Sequence, residues 1–319
     1  MYKSRYFTSK RRSAVETPQS FYRILVEGSF DPEKVIVEKR PGTLKRTPES
    51  EAFLDQAWAE VCARGFKPWP NDTKPSRGHL ARAYTNSAGE LILEIDTEIS
   101  YRDVRASRHR YPDFAERFGI EYVPASFSAA LYVIAQNRRG EECLLVELRG
   151  QDVDANAGGI TVGAGGVVSS RSGETPFWAA IREGEEEAGI KAHELESVVC
   201  MGAVLQLAVP DGGAMFVART QVPAEELAVR KHDGENQAVY YLPIDVLCRE
   251  WLVKFAYAIG EGGIGGAVLI GETKYGKQWR HDVERALAER RTLASDVETY
   301  RRLERQDMAA LVEALRGLS

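Results

Sequence analysis

Between Gly163 and Ile190 the chain reads GAGGVVSSRSGETPFWAAIREGEEEAGI, a glycine-rich passage that feeds directly into a helical run from Pro176 to Ala188. Strand-like segments flank it: SAALYVIAQN and CLLVELRG before, VVCMGAVLQLAV and GAMFVARTQV after. Strands on both sides of one charged helix place this part of the chain, to about residue 275, in the mixed α/β class. Glu183, Glu186 and Glu187 stand at i, i+3 and i+4, so the helix projects three carboxylates from one face. Two such charges about 4 Å apart repel by roughly 4 kcal/mol at an effective dielectric near 20. A divalent cation among them removes that cost, and hard oxygen ligands select Mg²⁺ or Mn²⁺. On this reading, removing one of the charges leaves metal-free stability unchanged or raises it.

The segments before and after this unit have a different texture. FYRILVE, from Phe21, alternates like a strand, and KVIVEKR at 34–40 offers itself as its partner. Thr47-Pro48-Glu49 starts a helix, with a cap, a proline in the first turn and an acid near the positive helix end. Phe53, Ala57, Trp58 and Val61 share its apolar face, and Gly65 ends it. FKPWPNDTKPSRG (66–78) reads as an extended loop. HLARAYT and LILEIDTE, separated by Asn86-Ser87-Ala88-Gly89, read as a hairpin, and RYPDFAERFGIEYVP as a short helix and connector. Beyond residue 275 the chain is charged and helical. Ser295 and Glu298 form a capping box, followed by an apolar stripe of Val297, Tyr300, Leu311 and Leu315. The organisation expected is a flexible arm (1–20), a small α+β module (21–120), an α/β domain (121–275) and a C-terminal helical tail (276–319).

Composition narrows the function classes. A net charge of −5 over 319 residues gives no global attraction to nucleic acid or to an anionic membrane. The phosphate of an anionic substrate must therefore be met locally. Cys62, Cys143, Cys200 and Cys248 are far apart with no CxxC pair, which suits free thiols in a reducing cytoplasm. No apolar run approaches the ~20 residues of a membrane span. The five histidines are scattered without ligand spacing.

The charged helix and its loop resemble the Nudix box: a glycine, five residues, Glu, seven residues, then Arg-Glu-apolar-any-Glu-Glu-any-Gly-apolar. Glu174, Arg182, Glu183, Glu186, Glu187, Gly189 and Ile190 fall in register with it. Two positions depart. Val168 stands in the glycine slot, so Gly166 is taken as the equivalent, with a two-residue insertion in the following loop. Gly184 replaces an apolar residue, which loosens a helix by about 1 kcal/mol relative to alanine. The resemblance implies an α/β/α sandwich that hydrolyses a diphosphate linkage attached to a nucleoside. It implies metal binding by Gly166, Glu183, Glu186 and Glu187, catalysis by Glu186 and Glu187, and structural roles for Glu174, Arg182 and Gly189, Arg182 pairing with Glu174.

A second likeness concerns the preceding module. A strand running into Ile99-Ser100-Tyr101-Arg102-Asp103 resembles the Nudix hydrolases that split UDP-glucose and related UDP-sugars into UMP and sugar 1-phosphate. The residues expected at such a substrate are Arg149, at the end of a strand beside the glycine passage, with Tyr101 and Arg102. The competing readings are a strand-end arginine in water, a packed Tyr101, and an Arg102 paired with Asp103. Glu235, in KHDGENQ, is the candidate for an additional catalytic carboxylate, with Asp233 beside it; an idle loop glutamate is the alternative. The expected partner is a small nucleotide sugar, with no nucleic acid and no membrane. The tail's stripe must bury against this chain or against a second copy, as in a homodimer, and removal of the tail after Gly276 is expected to leave the chemistry intact. Alternatives to the UDP-sugar are ADP-ribose, GDP-mannose, a dinucleotide, or a silent domain that senses a nucleotide sugar.

Overall fold

The computed structural model describes residues 21–150, 158–169, 173–207, 211–231, 234–294 and 297–316. The expected N-terminal arm, Asp233 and the Ser295 cap lie outside these residues. In chain order the strands are β1 (Tyr22–Phe30), β2 (Val35–Lys39), β3 (Pro75–Thr85), β4 (Leu91–Ser100), β5 (Ser126–Gln136) and β6 (Glu142–Arg149). They continue with β7 (Ile160–Val162), β8 (Ala164–Val167), β9 (Leu195–Gln206), β10 (Asp211–Thr220) and β11 (Asn236–Pro243). The helices are α1 (Pro48–Ala63), α2 (Tyr101–His109), α3 (Tyr111–Phe118), α4 (Pro176–Ala188) and α5 (Ala224–Leu227). After a π-helical turn at Val246–Trp251 come α6 (Leu252–Lys254), α7 (Glu261–Tyr275), α8 (Lys277–Arg291) and α9 (Val297–Arg316). The fold is mixed α/β, with helices in the N-terminal part, at the carboxylate loop and over the C-terminal third.

One sheet joins the strands in the order β1-β9-β10-β5-β3-β4-β2. Its hub is β5, which pairs in parallel with β10 along Ser126–Ile134. On its other edge β5 takes β8 at Ser128–Leu131 and β6 at Ile134–Gln136, and β6 carries β7 and β11. The hairpin of β3 and β4 forms as its turn residues require, Asn86 Oδ1 accepting from the N–H groups of Ala88 and Glu90. The expected pairing of the first two strands does not form. β1 lies antiparallel to β9, and β2 runs parallel to β4. Alternation alone marks a strand; it does not name its neighbour. As a result β1 crosses the boundary drawn near residue 120.

Alternation along β5 separates two cores. Phe127, Ala129, Leu131 and Val133 face the side on which α4 packs, together with Ala179, Ala180, Ile181 and Ala188. Tyr132 and Ile134 face the side covered by the C-terminal helices. There α7 forms despite its many glycines, each of which costs a helix about 1 kcal/mol relative to alanine. The reason is proximity to the sheet. A methyl group at Gly266 would stand 2.0 Å from Cζ of Tyr132, and one at Gly265 would stand 2.7 Å from Val204 Cγ1. At Gly265 and Gly266 the strand side chains leave no room for one from the helix.

The tail buries within the chain: Leu311 and Leu315 of the stripe, and Leu287 of α8, are at most 1 % exposed. Phe21, at the start of β1, meets Tyr257 edge-on with ring centres 5.2 Å apart, and Tyr257 meets Tyr300 of α9 at 5.2 Å. The stripe needs no second copy to cover it. Cys143, Cys200 and Cys248 are buried free thiols, pushed up to about 11, 12 and 12 by burial, and serve as core atoms. Among the described residues, no helix is long and apolar enough to cross a membrane.

Candidate active site

The chain builds α4 as a well-capped helix on a glycine-lined seat. Thr175 caps it, its Oγ1 accepting from the Trp178 N–H at 3.3 Å, and Pro176 occupies the first position. Gly189 ends it in the left-handed conformation at φ 65°, where an added Cβ would press on Lys231 O at 3.0 Å. The unusual Gly184 has a packing reason: a Cβ there would lie 2.7 Å from Leu131 Cδ2 of β5. The cost to helix propensity is exchanged for close contact with the sheet.

Arg182 organises the outer edge of this helix. Its Nε donates to Glu174 Oε1 at 2.9 Å, while the Ser169 N–H holds the other oxygen of Glu174 at 3.1 Å. Burial works against the Glu174 carboxylate, yet these hydrogen bonds keep it below the usual range. Arg182 Nη1 donates to Glu183 Oε1 at 2.5 Å and to Glu186 Oε2 at 3.0 Å. Glu183 is raised, chiefly by burial and further by the charges of Glu186 and Glu235, against the pull of Arg182. Gly166 of β8 lies against this group: a Cβ there would stand 2.1 Å from Glu183 Oε1. Only a glycine lets the carboxylate approach the loop backbone so closely.

Glu187 is placed differently. Its side chain is 4 % exposed, and its oxygens accept from Arg149 Nη1 at 2.9 Å and from the Gly165 N–H at 2.8 Å. Arg149 also donates through Nη1 to Asn236 Oδ1 at 3.2 Å and through Nη2 to Glu235 Oε2 at 2.9 Å. The three glutamates of α4 are thus held by two different arginines. Glu183 and Glu186 share Arg182, whereas Glu187, on the inner edge of the helix, is turned toward Arg149 and the glycine backbone because a buried charge demands partners. Among the described residues, no three metal-ligating side chains converge on one point. The chemistry of the donors still fits a hard divalent ion: carboxylate oxygens crowded around a cationic nitrogen, beside a backbone with no Cβ to exclude them. The stability expectation reverses as well, since Glu187 is a partnered buried anion and not a surplus charge.

Of the remaining expected residues, Arg149 and Glu235 come together with Glu187. Arg102 is placed on α1 and its own helix, its guanidinium donating to Asp55 at 2.7 Å, Glu51 at 3.2 Å and Asp103 at 3.1 Å. This is the paired reading of Arg102, apart from the carboxylates. Tyr101 faces Arg77, whose guanidinium carbon lies 4.9 Å from the ring centre. One charged residue escaped the sequence reading: Glu147 is fully buried on the same face of β6 as Arg149 and accepts from Thr161 Oγ1 at 3.2 Å. A glutamate inside the otherwise apolar run CLLVELR is the signal that marks it.

Glu235 is held by Arg149 while its side chain stays 58 % exposed, so it reaches solvent beside the cluster. Glu235→Gln is expected to lower kcat by about 10²-fold with little change in KM, the scale of general-base assistance. A steady-state comparison with wild type checks this; a kcat within a few-fold removes Glu235 from proton transfer.

No family model matches the chain, and no curated protein matches it. Among solved structures, it is similar to a Nudix hydrolase from M. smegmatis, RenU, at 18 % identity over 46 % of this chain and 84 % of that one, with a TM-score of 0.34. It is similar also to the NUDIX domain of Shewanella oneidensis NrtR complexed with ADP ribose, at 9 % identity, 47 % and 88 % coverage, and a TM-score of 0.37. A C. elegans Ap4A hydrolase binary complex is similar at 18 % identity, 47 % and 96 % coverage, and a TM-score of 0.32.

Proposed function

We propose that this chain is a Nudix-type hydrolase that cleaves the diphosphate linkage of a nucleoside diphosphate derivative. One observation carries the reading: Arg182 is bonded at once to Glu174, Glu183 and Glu186, and the Glu183 carboxylate lies directly against the backbone of Gly166. The Arg182–Glu174 pair is what the box resemblance implies, and the contacts to Glu183 and Glu186 keep these carboxylates gathered at the same guanidinium. Glu183 and Glu186, with Glu187 at their side, would hold Mg²⁺ or Mn²⁺; the ion supplies charge neutralisation and a more acidic water. The chain's own residues do the remaining work. Arg149 fixes Glu187 and Glu235 relative to one another, and Glu235 takes the proton of the attacking water. The water oxygen bonds to phosphorus as the bond to the bridging oxygen breaks in line, leaving a nucleoside monophosphate and a phosphorylated remainder.

For the substrate we propose UDP-glucose or UDP-galactose, yielding UMP and sugar 1-phosphate, on the likeness of the Ile99–Asp103 segment to UDP-sugar hydrolases. In a panel with Mg²⁺ and product detection, these should exceed ADP-ribose and GDP-mannose in kcat/KM. A clear preference for ADP-ribose overturns the substrate and leaves the reaction class standing. Tight binding of every nucleotide sugar without turnover overturns the enzyme reading in favour of a sensor.

A further inference from the structure

A recess of about 330 Å³ is lined by Phe66, Trp69, Asp72, Ser76, Arg77 and Tyr101. It belongs to the proline-rich stretch that the sequence presented only as a loop. Phe66 and Tyr101 have ring centres 6.0 Å apart, and Arg77 stacks on Tyr101. Trp69 is 76 % exposed although it sits on a built turn. Its N–H donates to Asp72 Oδ2 at 2.8 Å, and Asp72 O accepts from the Arg102 N–H at 2.8 Å, which ties the turn to the start of α2. The recess also touches the box loop. Arg77 forms a β-bridge with Ser169, a spacing of about 4.8 Å between strands. Ser169 in turn donates to Glu174, the partner of Arg182.

We infer that this recess binds the nucleobase of the substrate, stacking it on Trp69 and Tyr101 and meeting its polar edge with Asp72 and Ser76. The inference rests on the reading of the carboxylate site as a nucleoside diphosphate hydrolase and adds where the nucleoside is held. Every base has a π-face, and exposed aromatic side chains on a fixed backbone supply stacking at small entropic cost. Arg77 belongs to both places: its guanidinium lies over the Tyr101 ring in the recess wall, and its backbone bridges to Ser169 of the glutamate loop.

The test is calorimetry of wild type, Trp69→Ala and Tyr101→Ala with UMP and AMP, against the base-free ribose 5-phosphate, without metal. Trp69 is exposed, so its removal leaves the fold intact. Trp69→Ala should weaken the nucleoside monophosphate that wild type prefers by at least about 5-fold, the lower end for loss of one stacked base. Ribose 5-phosphate should be unaffected, and in turnover KM should rise with kcat kept. Equal weakening of both ligands overturns the inference. So does unchanged nucleotide binding in both variants, absence of nucleotide binding by wild type, or a change of oligomeric state in Trp69→Ala with binding intact. If no nucleoside diphosphate derivative is turned over, the reaction proposed above fails while the calorimetric comparison still decides the recess.

Discussion

Glu187→Gln is expected to lower turnover by about 10³-fold and to lower the melting temperature of the metal-free protein. The catalytic loss follows if Glu187 helps hold the ion that neutralises phosphate charge and makes the attacking water more acidic. The stability loss follows from the surroundings of Glu187. Its carboxylate is buried between Arg149 Nη1 and the Gly165 N–H. The amide can keep one of these contacts in each orientation but leaves Arg149 with less negative charge to answer its own burial. A charged hydrogen bond of this type is worth about 1.5–3 kcal/mol. Crowding with Glu183 and Glu186 is relieved at the same time, but Glu186 is half exposed and screened by water, so the buried contact dominates. Thermal melts and single-turnover rates measure the two effects separately. Activity near wild type would remove α4 from the site, and a raised melting temperature would mean that repulsion outweighs the Arg149 pair.

Truncation after Gly276 is expected to abolish the folded state, not merely to trim it. Leu287, Leu311 and Leu315 are buried, and each contributes roughly 1.5–3 kcal/mol. Together that approaches the whole of a typical domain's stability of about 5–15 kcal/mol. Polar contacts are lost as well: Asp307 accepts from the Tyr257 N–H at 3.1 Å and from Arg290 at 2.5 Å, and Arg280 joins Glu272 at 2.6 Å. Residues 1–276 should therefore be insoluble or lack a cooperative melt by circular dichroism. A soluble, active truncation would restore the view of these helices as an appendage.

That view came from the sequence, and the burial of the tail within the chain argues against it. An apolar stripe such as Leu311–Leu315 announces that a helix must be covered, and says nothing about what covers it. The strands were legible because alternation is local, whereas the pairing of β1 with β9 depends on residues far along the chain. Helix α7 was not named from the sequence; its glycines make sense once Tyr132 and Val204 are seen pressed against them. Helix α2 was missed although Ser100 and Asp103 cap it reciprocally. At the site, the Glu174–Arg182 pair was expected from the resemblance to the Nudix box, which those residues match in register. The turning of Glu187 toward Arg149 was not readable, because side-chain direction at the inner helix edge is set by burial. The aromatic recess lay hidden in a stretch whose prolines suggested only an extended loop.

The edge position of β1 also sets the order in which the molecule can fold. Tyr22 Oη donates to Glu284 Oε1 across 262 positions of sequence, and Phe21 closes on the Tyr257–Tyr300 pair. Contacts of such separation are made only after the intervening chain has collapsed, since loop-closure entropy must be met before they reward it. We therefore expect β1 to dock late on a sheet that β5, β9 and β10 can assemble without it. Until it docks, β9 presents an unpaired edge, the exposure by which slow-folding sheets associate with one another. Conditions that delay the C-terminal helices would lengthen the life of that open edge, so the refolding yield of this protein should fall with concentration well before its equilibrium stability is compromised.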